Sequence, residues 1–159
     1  MANTGEAIRL RRDLKAPMNQ PKWPKGIAVR TLQAVDTTSI HDLLNLGRVD
    51  YGSEVTSFDD WWAWLSCNPE FDPALCFLAV DESQKILGVA QCWTSAFLKD
   101  LAVHPGARRC GIGENLLWHV FQVFRQHGAS NVDLKVLANN FAARRLYDRV
   151  GMVPVAFDG

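Results

Sequence analysis

Several things are scarce in this chain, and each scarcity closes a class of function. No apolar run approaches the ~20 residues that a membrane-spanning helix needs, and the first residues lack the apolar core of a secretion signal. The four cysteines, Cys67, Cys76, Cys92 and Cys110, form no C-x-x-C pair. Two of them sit in apolar, strand-like runs, so reduced thiols in a cytoplasmic protein are expected. The four histidines are scattered and none pairs with a cysteine at ligand spacing, so no metal site is expected. Net charge is zero, from 17 basic and 17 acidic side chains. Without a domain-wide basic footprint, general nucleic-acid binding is not expected. Internal repeats and low-complexity segments are absent as well.

What is present suits one globular domain. The 159 residues are 48% hydrophobic and 21% charged, enough for a sizeable core. Charge is uneven: residues 1–25 hold six basic side chains (Arg9, Arg11, Arg12, Lys15, Lys22, Lys25) against Glu6 and Asp13. With Pro17, Pro21 and Pro24 at its end, this stretch reads as an N-terminal arm. Ala7–Arg11 alternates, however, and could add to a sheet edge. The main domain is expected over residues 26–159.

Phe97–Phe124 organises the rest. Phe97-Leu98-Lys99-Asp100-Leu101-Ala102-Val103 reads as a strand stopped by His104-Pro105-Gly106. Ile112, Leu116, Leu117, Val120, Phe121 and Phe124 form the stripe of a core-facing helix. Between them stands Arg108-Arg109-Cys110-Gly111-Ile112-Gly113. Glycines let backbone N–H groups turn toward a bound group, and a helix start supplies unpaired N–H groups and partial positive charge. The combination suits an anion, above all phosphate. Ile112-Gly113 stand where a Walker loop needs Lys and Ser/Thr, and Leu116 occupies the third glycine of a dinucleotide fingerprint. The pattern R-x-x-G-x-G, Arg108 to Gly113, fits in full. Taken alone, these six residues fit equally a helix that merely begins with glycines.

The remaining elements follow from periodicity and breakers. Strands are expected at Ile27–Leu32, Leu75–Val80, Ile86–Trp93, Asn131–Val136 and Met152–Phe157. The turn at Asp81–Gln84 makes its two neighbouring strands antiparallel. A helix carrying Ile40, Leu43, Leu44 and Leu46 should end at Gly47. A second starts at the capping box Ser57-x-x-Asp60 and stops before Asn68-Pro69. His127-Gly128 caps the long helix. Asn139 or Asn140 opens the last helix, with Ala143, Leu146, Tyr147 and Val150 on one face and Gly151 closing it.

A strand, the R-x-x-G-x-G loop, a long helix, a strand, then Asn140-x-x-Ala143-x-x-Leu146-Tyr147-x-x-x-Gly151-Met152 resembles the GCN5-related N-acetyltransferase (GNAT) family. The resemblance runs from about Ile27 to the end. It implies an α/β (α+β) fold: one mixed, mostly antiparallel twisted sheet of about six strands flanked by four helices. Two splayed parallel strands would form an acyl-CoA cleft. It implies acetyl-CoA as co-substrate, with Leu101, Ala102 and Val103 pairing with the pantetheine arm. Arg108, Arg109, Cys110, Gly111, Ile112, Gly113 and Glu114 would surround the pyrophosphate, and Asn140 would bond the pantetheine arm. Tyr147 would stand beside the sulfur as general acid. Peptide-directed members resembling this chain place a glutamate where Lys135 stands. Asp100 is the candidate base, similar to an acidic residue in polyamine-type members.

Residues 36–72 carry Asp36, Asp42, Asp50, Glu54, Asp59, Asp60, Glu70 and Asp72 against Arg48 alone. That surplus suggests a small cationic amine as acceptor, with Glu54 and Trp93 as candidate contacts. A peptide acceptor and a non-catalytic acyl-CoA-binding module are the alternatives. The single terminal strand leaves a sheet edge to cover, by the arm or by a second subunit in a homodimer.

Overall fold

The computed structural model describes residues 6–156 except 51–53, with the backbone alone at 49 and 50. Its strands are β1 (Ala7–Asp13), β2 (Ala28–Thr31), β3 (Phe71–Val80), β4 (Ile86–Trp93), β5 (Phe97–Val103), β6 (Asn131–Leu137) and β7 (Val153–Pro154). The helices are α1 (Thr37–Asp50), α2 (Phe58–Ser66), α3 (Ile112–Gln126) and α4 (Phe141–Arg149). The seven strands form one mixed sheet in the order β2-β3-β4-β5-β6-β1-β7. Only β5 and β6 run parallel; every other pair is antiparallel.

Each sheet face has its own core. On one face Leu116, Leu117, Val120, Phe121 and Phe124 of α3 pack on Phe77, Ala79, Ala90, Cys92, Val132 and Leu134. On the other, Ile40, Leu43 and Leu44 of α1 and Trp61 and Leu65 of α2 cover Cys76, Leu78, Val80, Val89 and Trp93. Helix periodicity on α3 and strand alternation on β3 and β4 dictate these two layers. Ser57 Oγ accepts the Asp60 N–H at 3.2 Å and starts α2. Trp64, off that buried face, is half exposed.

Three local expectations change. Gly47 does not end α1, which runs on to Asp50; at this position the surrounding turn outweighs the roughly 1 kcal/mol that glycine costs in a helix. β3 begins at Phe71, earlier than Leu75, through an irregular pairing with β4 that tolerates Pro73. The terminal strand is only Val153–Pro154, and Phe157 lies outside the described residues.

The seventh strand is the arm. Ala7–Asp13 runs along β6 from Leu137 to Asn131 and holds β7 on its other side through Leu10 and Arg11. It therefore covers the edge that one terminal strand leaves open. Charge fixes the register: Arg9 Nε donates to Asp133 at 2.7 Å, and Arg11 donates through Nε and Nη2 at 2.8 and 2.9 Å. Burial pulls the Asp133 carboxyl upward, but the hydrogen bonds and charges of Arg11 and Arg9 outweigh it and hold it below the ordinary range. Beyond the strand, Asn115 of α3 accepts the Lys22 N–H and donates to the Lys22 carbonyl.

Among the described residues no helix is long and apolar enough to cross a membrane.

Candidate active site

The site begins with a bulge. β4 pairs Gln91 with Asp100 and Cys92 with Leu98, so Lys99 is one residue too many in β5. Such an insertion bends a strand and reverses its alternation. Leu98 therefore faces the α3 core, while Ala102 packs on the α1/α2 side. Pairing between β5 and β6 ends where the bulge begins: only Phe97 with Asp133 and Leu98 with Leu134 are in register. Past Leu98 the two strands part. Leu101, Ala102 and Val103 keep β4 on one edge and face a gap on the other.

That gap opens into a cleft of about 720 Å³. Leu101–Val103 form one wall; Asn140 and, from α4, Ala143, Leu146 and Tyr147 form the other; Arg108, Arg109 and Gly111–Glu114 close the end. Gly111 takes the N-cap of α3 with φ +77°, in the left-handed region, and Arg109 before it is also left-handed at +66°. For a non-glycine residue that conformation costs on the order of 1 kcal/mol. It turns the chain so that the N–H groups of Ile112, Gly113 and Glu114 stand in the first helical turn, without intrahelical acceptors. A side chain at Gly113 would put its Cβ 3.3 Å from Leu146 Cδ2 and 3.5 Å from Val103 Cγ2, inside the cleft. The donor set and the width beside it fit a diphosphate on an extended chain.

The expected cofactor residues converge, with one exception. Leu101, Ala102, Val103, Arg108, Arg109, Gly111, Ile112, Gly113, Glu114, Asn140 and Tyr147 all line the cleft. Cys110 turns outward and is exposed. Asn140 is the N-cap of α4, its Oδ1 accepting the Ala143 N–H at 3.2 Å. Tyr147 is buried against the α3 core. The sequence reading missed Leu43 and Gly47 of α1, which also line the cleft, and Arg149, whose Nε donates to Glu114 at 2.9 Å at its mouth.

The expected acceptor residues scatter. Glu54 is exposed ahead of α2 and does not line the cleft. Trp93 is buried at the end of β4, its ring 5.8 Å from Trp64 in an edge contact. Part of the acidic surplus is structural. Arg30 grips Asp36 through two hydrogen bonds and holds its carboxyl low. Glu70 accepts the Ser95 N–H and Asp72 the Ala74 N–H. Asp42, Asp59 and Asp60 stay exposed.

Asp100 stands behind the Leu101–Val103 wall, 3.6 Å from Lys99 Nζ. It lines a second cavity of about 10 Å³ with Gln91, Cys76 and apolar residues of α1 and α2. Gln91 is 2% exposed, and its Oε1 has no hydrogen-bond partner among the described residues. An orphaned buried acceptor costs about 1–3 kcal/mol, and the space beside it suits one water. The Cys76 thiol is pushed up to about 12 by burial and by the Asp100 charge, so it stays protonated at neutral pH. Gln91 was readable only as a polar residue in an apolar strand.

Among the described residues no group of three or more His, Cys, Asp or Glu side chains could hold a metal.

Comparison with known proteins agrees with this geometry. The family model described as acetyltransferase (GNAT) family matches residues 38–152. A mycothiol acetyltransferase of Beutenbergia cavernae is 35% identical over 92 residues, 54% of this chain and 31% of that protein. A Bacillus subtilis protein bearing the name of a ribosomal protein bS18-alanine N-acetyltransferase is 24% identical over 131 residues, 79% of this chain and 84% of the relative. Among solved structures, a GCN5-related N-acetyltransferase from Sphaerobacter thermophilus superposes with a TM-score of 0.79 at 28% identity. That match covers 94% of this chain and 48% of the other. The chain thus spans about a third of the first relative and about half of the Sphaerobacter protein.

Proposed function

The chain belongs to the acetyltransferase (GNAT) family, and from that premise we propose that it moves the acetyl group of acetyl-CoA onto a primary amine carried by a small cationic molecule. The observation that carries this reading is the parting of β5 and β6 past Leu98 and Leu134. Unpaired strand edge beside a cleft accepts an extended, amide-bearing chain as a further strand would. The amides at the head of α3 take the diphosphate at one end of that chain. The thioester then falls between Leu101–Ala102 and Tyr147.

The chemistry is one displacement. The acceptor's ammonium first loses a proton, for which Asp100 is the base. Asp100 lines the small cavity behind the wall and not the cleft itself, and takes the proton through a water in that cavity. The neutral amine attacks the thioester carbonyl, and a C–N bond forms. A β5 main-chain N–H in the gap donates to the developing oxyanion. The C–S bond breaks, and the Tyr147 hydroxyl gives its proton to the departing thiolate. The proton that the attacking nitrogen sheds on becoming an amide returns to the phenolate through solvent. A ternary complex suffices; Cys110, exposed outside the cleft, is not an acyl carrier.

Asp100, with Asp42, Asp59 and Asp60 exposed on the neighbouring helices, favours a cationic acceptor. A peptide acceptor is the second reading. The relative covering 79% of the chain is named for a ribosomal protein, although exposed Lys135 on β6 cannot serve as a base while protonated. Free-thiol release from acetyl-CoA over a panel of amines, amino acids and peptides, with 1,4-diaminobutane as reference, separates the two. Turnover is expected on the cationic amines; turnover confined to neutral or anionic acceptors, or to peptides, would overturn the small-amine assignment.

A further inference from the structure

Arg12 is a buried cation without a buried anion. It lies in β1 opposite Val132, is 4% exposed, and forms no ion pair among the described residues. Its acceptors are carbonyl oxygens: Nε donates to Val150 at 2.8 Å, Nη1 to Asp13 at 2.6 Å and Nη2 to Pro17 at 2.7 Å. The guanidinium stacks 5.7 Å from the ring centres of both Trp118 and Phe121 of α3. Desolvation lowers its pKa, and the nearby Asp13 charge only partly offsets this. A methionine would fill the same volume without that cost, so the guanidinium must be placed for what it ties.

It ties the arm to the end of α4. A helix leaves its last four carbonyls without intrahelical donors. Here the Met152 N–H bonds the Tyr147 carbonyl and the Gly151 N–H bonds the Asp148 carbonyl, both at 3.0 Å, a Schellman closure. The Val150 carbonyl is outside that closure, and Arg12 takes it. A cation at a helix C-terminus also opposes the helix dipole. Gly151, at φ +86°, leaves the approach open; a Cβ there would sit 3.1 Å from Arg12 Nε. Tyr147 is the third residue before Val150, in the same turn.

We propose that Arg12 is a positioning residue for Tyr147: the N-terminal strand clamps the last turn of α4 and so fixes the phenol in the cleft. This rests on the reading of Tyr147 as proton donor, and it makes the arm part of the catalytic apparatus. Misplacing a reacting group by about 1 Å can cost up to about 100-fold in rate.

The test is a double-mutant cycle on the full chain, reading kcat for free-thiol release from acetyl-CoA with 1,4-diaminobutane, and acetyl-CoA Kd by calorimetry. Arg12→Met is expected to lower kcat about tenfold with Kd changed by less than about twofold. In a Tyr147→Phe background the same replacement should change kcat by less than about twofold. Arg12→Lys keeps a cation in the pocket and should lose less; it carries the test should Arg12→Met not fold. Equal losses in both backgrounds, or no loss in the parent, would overturn the inference while leaving the proton-donor reading intact. A silent Tyr147→Phe would overturn that reading and this one together.

Discussion

The two ends of the cleft were built differently. At the cofactor end, main-chain groups of two adjacent stretches, Leu101–Val103 and Arg108–Glu114, meet one face of α4. At the proposed acceptor end, the candidate side chains come from separate elements, and Glu54, Trp93 and Asp100 do not line the cleft, Asp100 facing the small cavity behind it. Backbone recognition needs a chain that turns correctly, and a turn is written in consecutive residues. Side-chain recognition needs groups that the fold assembles from distant positions. The first end is therefore fixed by local sequence and the second by tertiary register.

The contrast can be broken most sharply at Asp100. Asp100→Asn keeps size and polarity but removes the proton acceptor. It is expected to lower kcat/KM for the amine about 100-fold at neutral pH and to leave acetyl-CoA affinity nearly unchanged. A steady-state pH profile checks this, since the residual rate should climb with pH as the acceptor deprotonates in solution. A flat, undiminished profile would remove Asp100 from the mechanism. At the cofactor end, Gly113→Val fills space between Leu146 and Val103. Calorimetry should show acetyl-CoA binding weakened about tenfold, with the acceptor KM little altered; an unchanged Kd would mean that the cofactor runs elsewhere. The smallest effect is expected at Glu54, exposed and outside the cleft. Glu54→Gln should change kcat/KM less than about twofold, and a larger loss would draw the acceptor path toward α2.

The same division explains which features could be read before the structure. Gly111 and Gly113 announced the loop because the first takes a left-handed turn without a Cβ penalty and the second leaves open the space beside Leu146 and Val103. The α3 stripe announced the helix that presents it. Alternation over Ala7–Arg11 marked a strand, but not its partner. That partner is chosen by Asp133, more than 120 positions away in the chain, and by the Val150 carbonyl that Arg12 reaches. The bulge at Lys99 was invisible for a related reason. Phe97–Val103 is an apolar run with two adjacent charges and no alternation to interrupt, and only its pairing with Gln91 and Cys92 exposes the extra residue. That residue decides the site, because it puts Asp100 on the face of Gln91 rather than that of Leu98.

Main-chain amides at the start of α3 receiving a diphosphate are what the whole account stands on. Titration of ¹⁵N-labelled protein with acetyl-CoA, followed amide by amide, addresses them directly. Saturable shifts centred on Gly111–Glu114 and Leu101–Val103 are predicted, with β2 and β7 undisturbed. Saturation that leaves those amides unmoved, or no saturable binding at all, would contradict it.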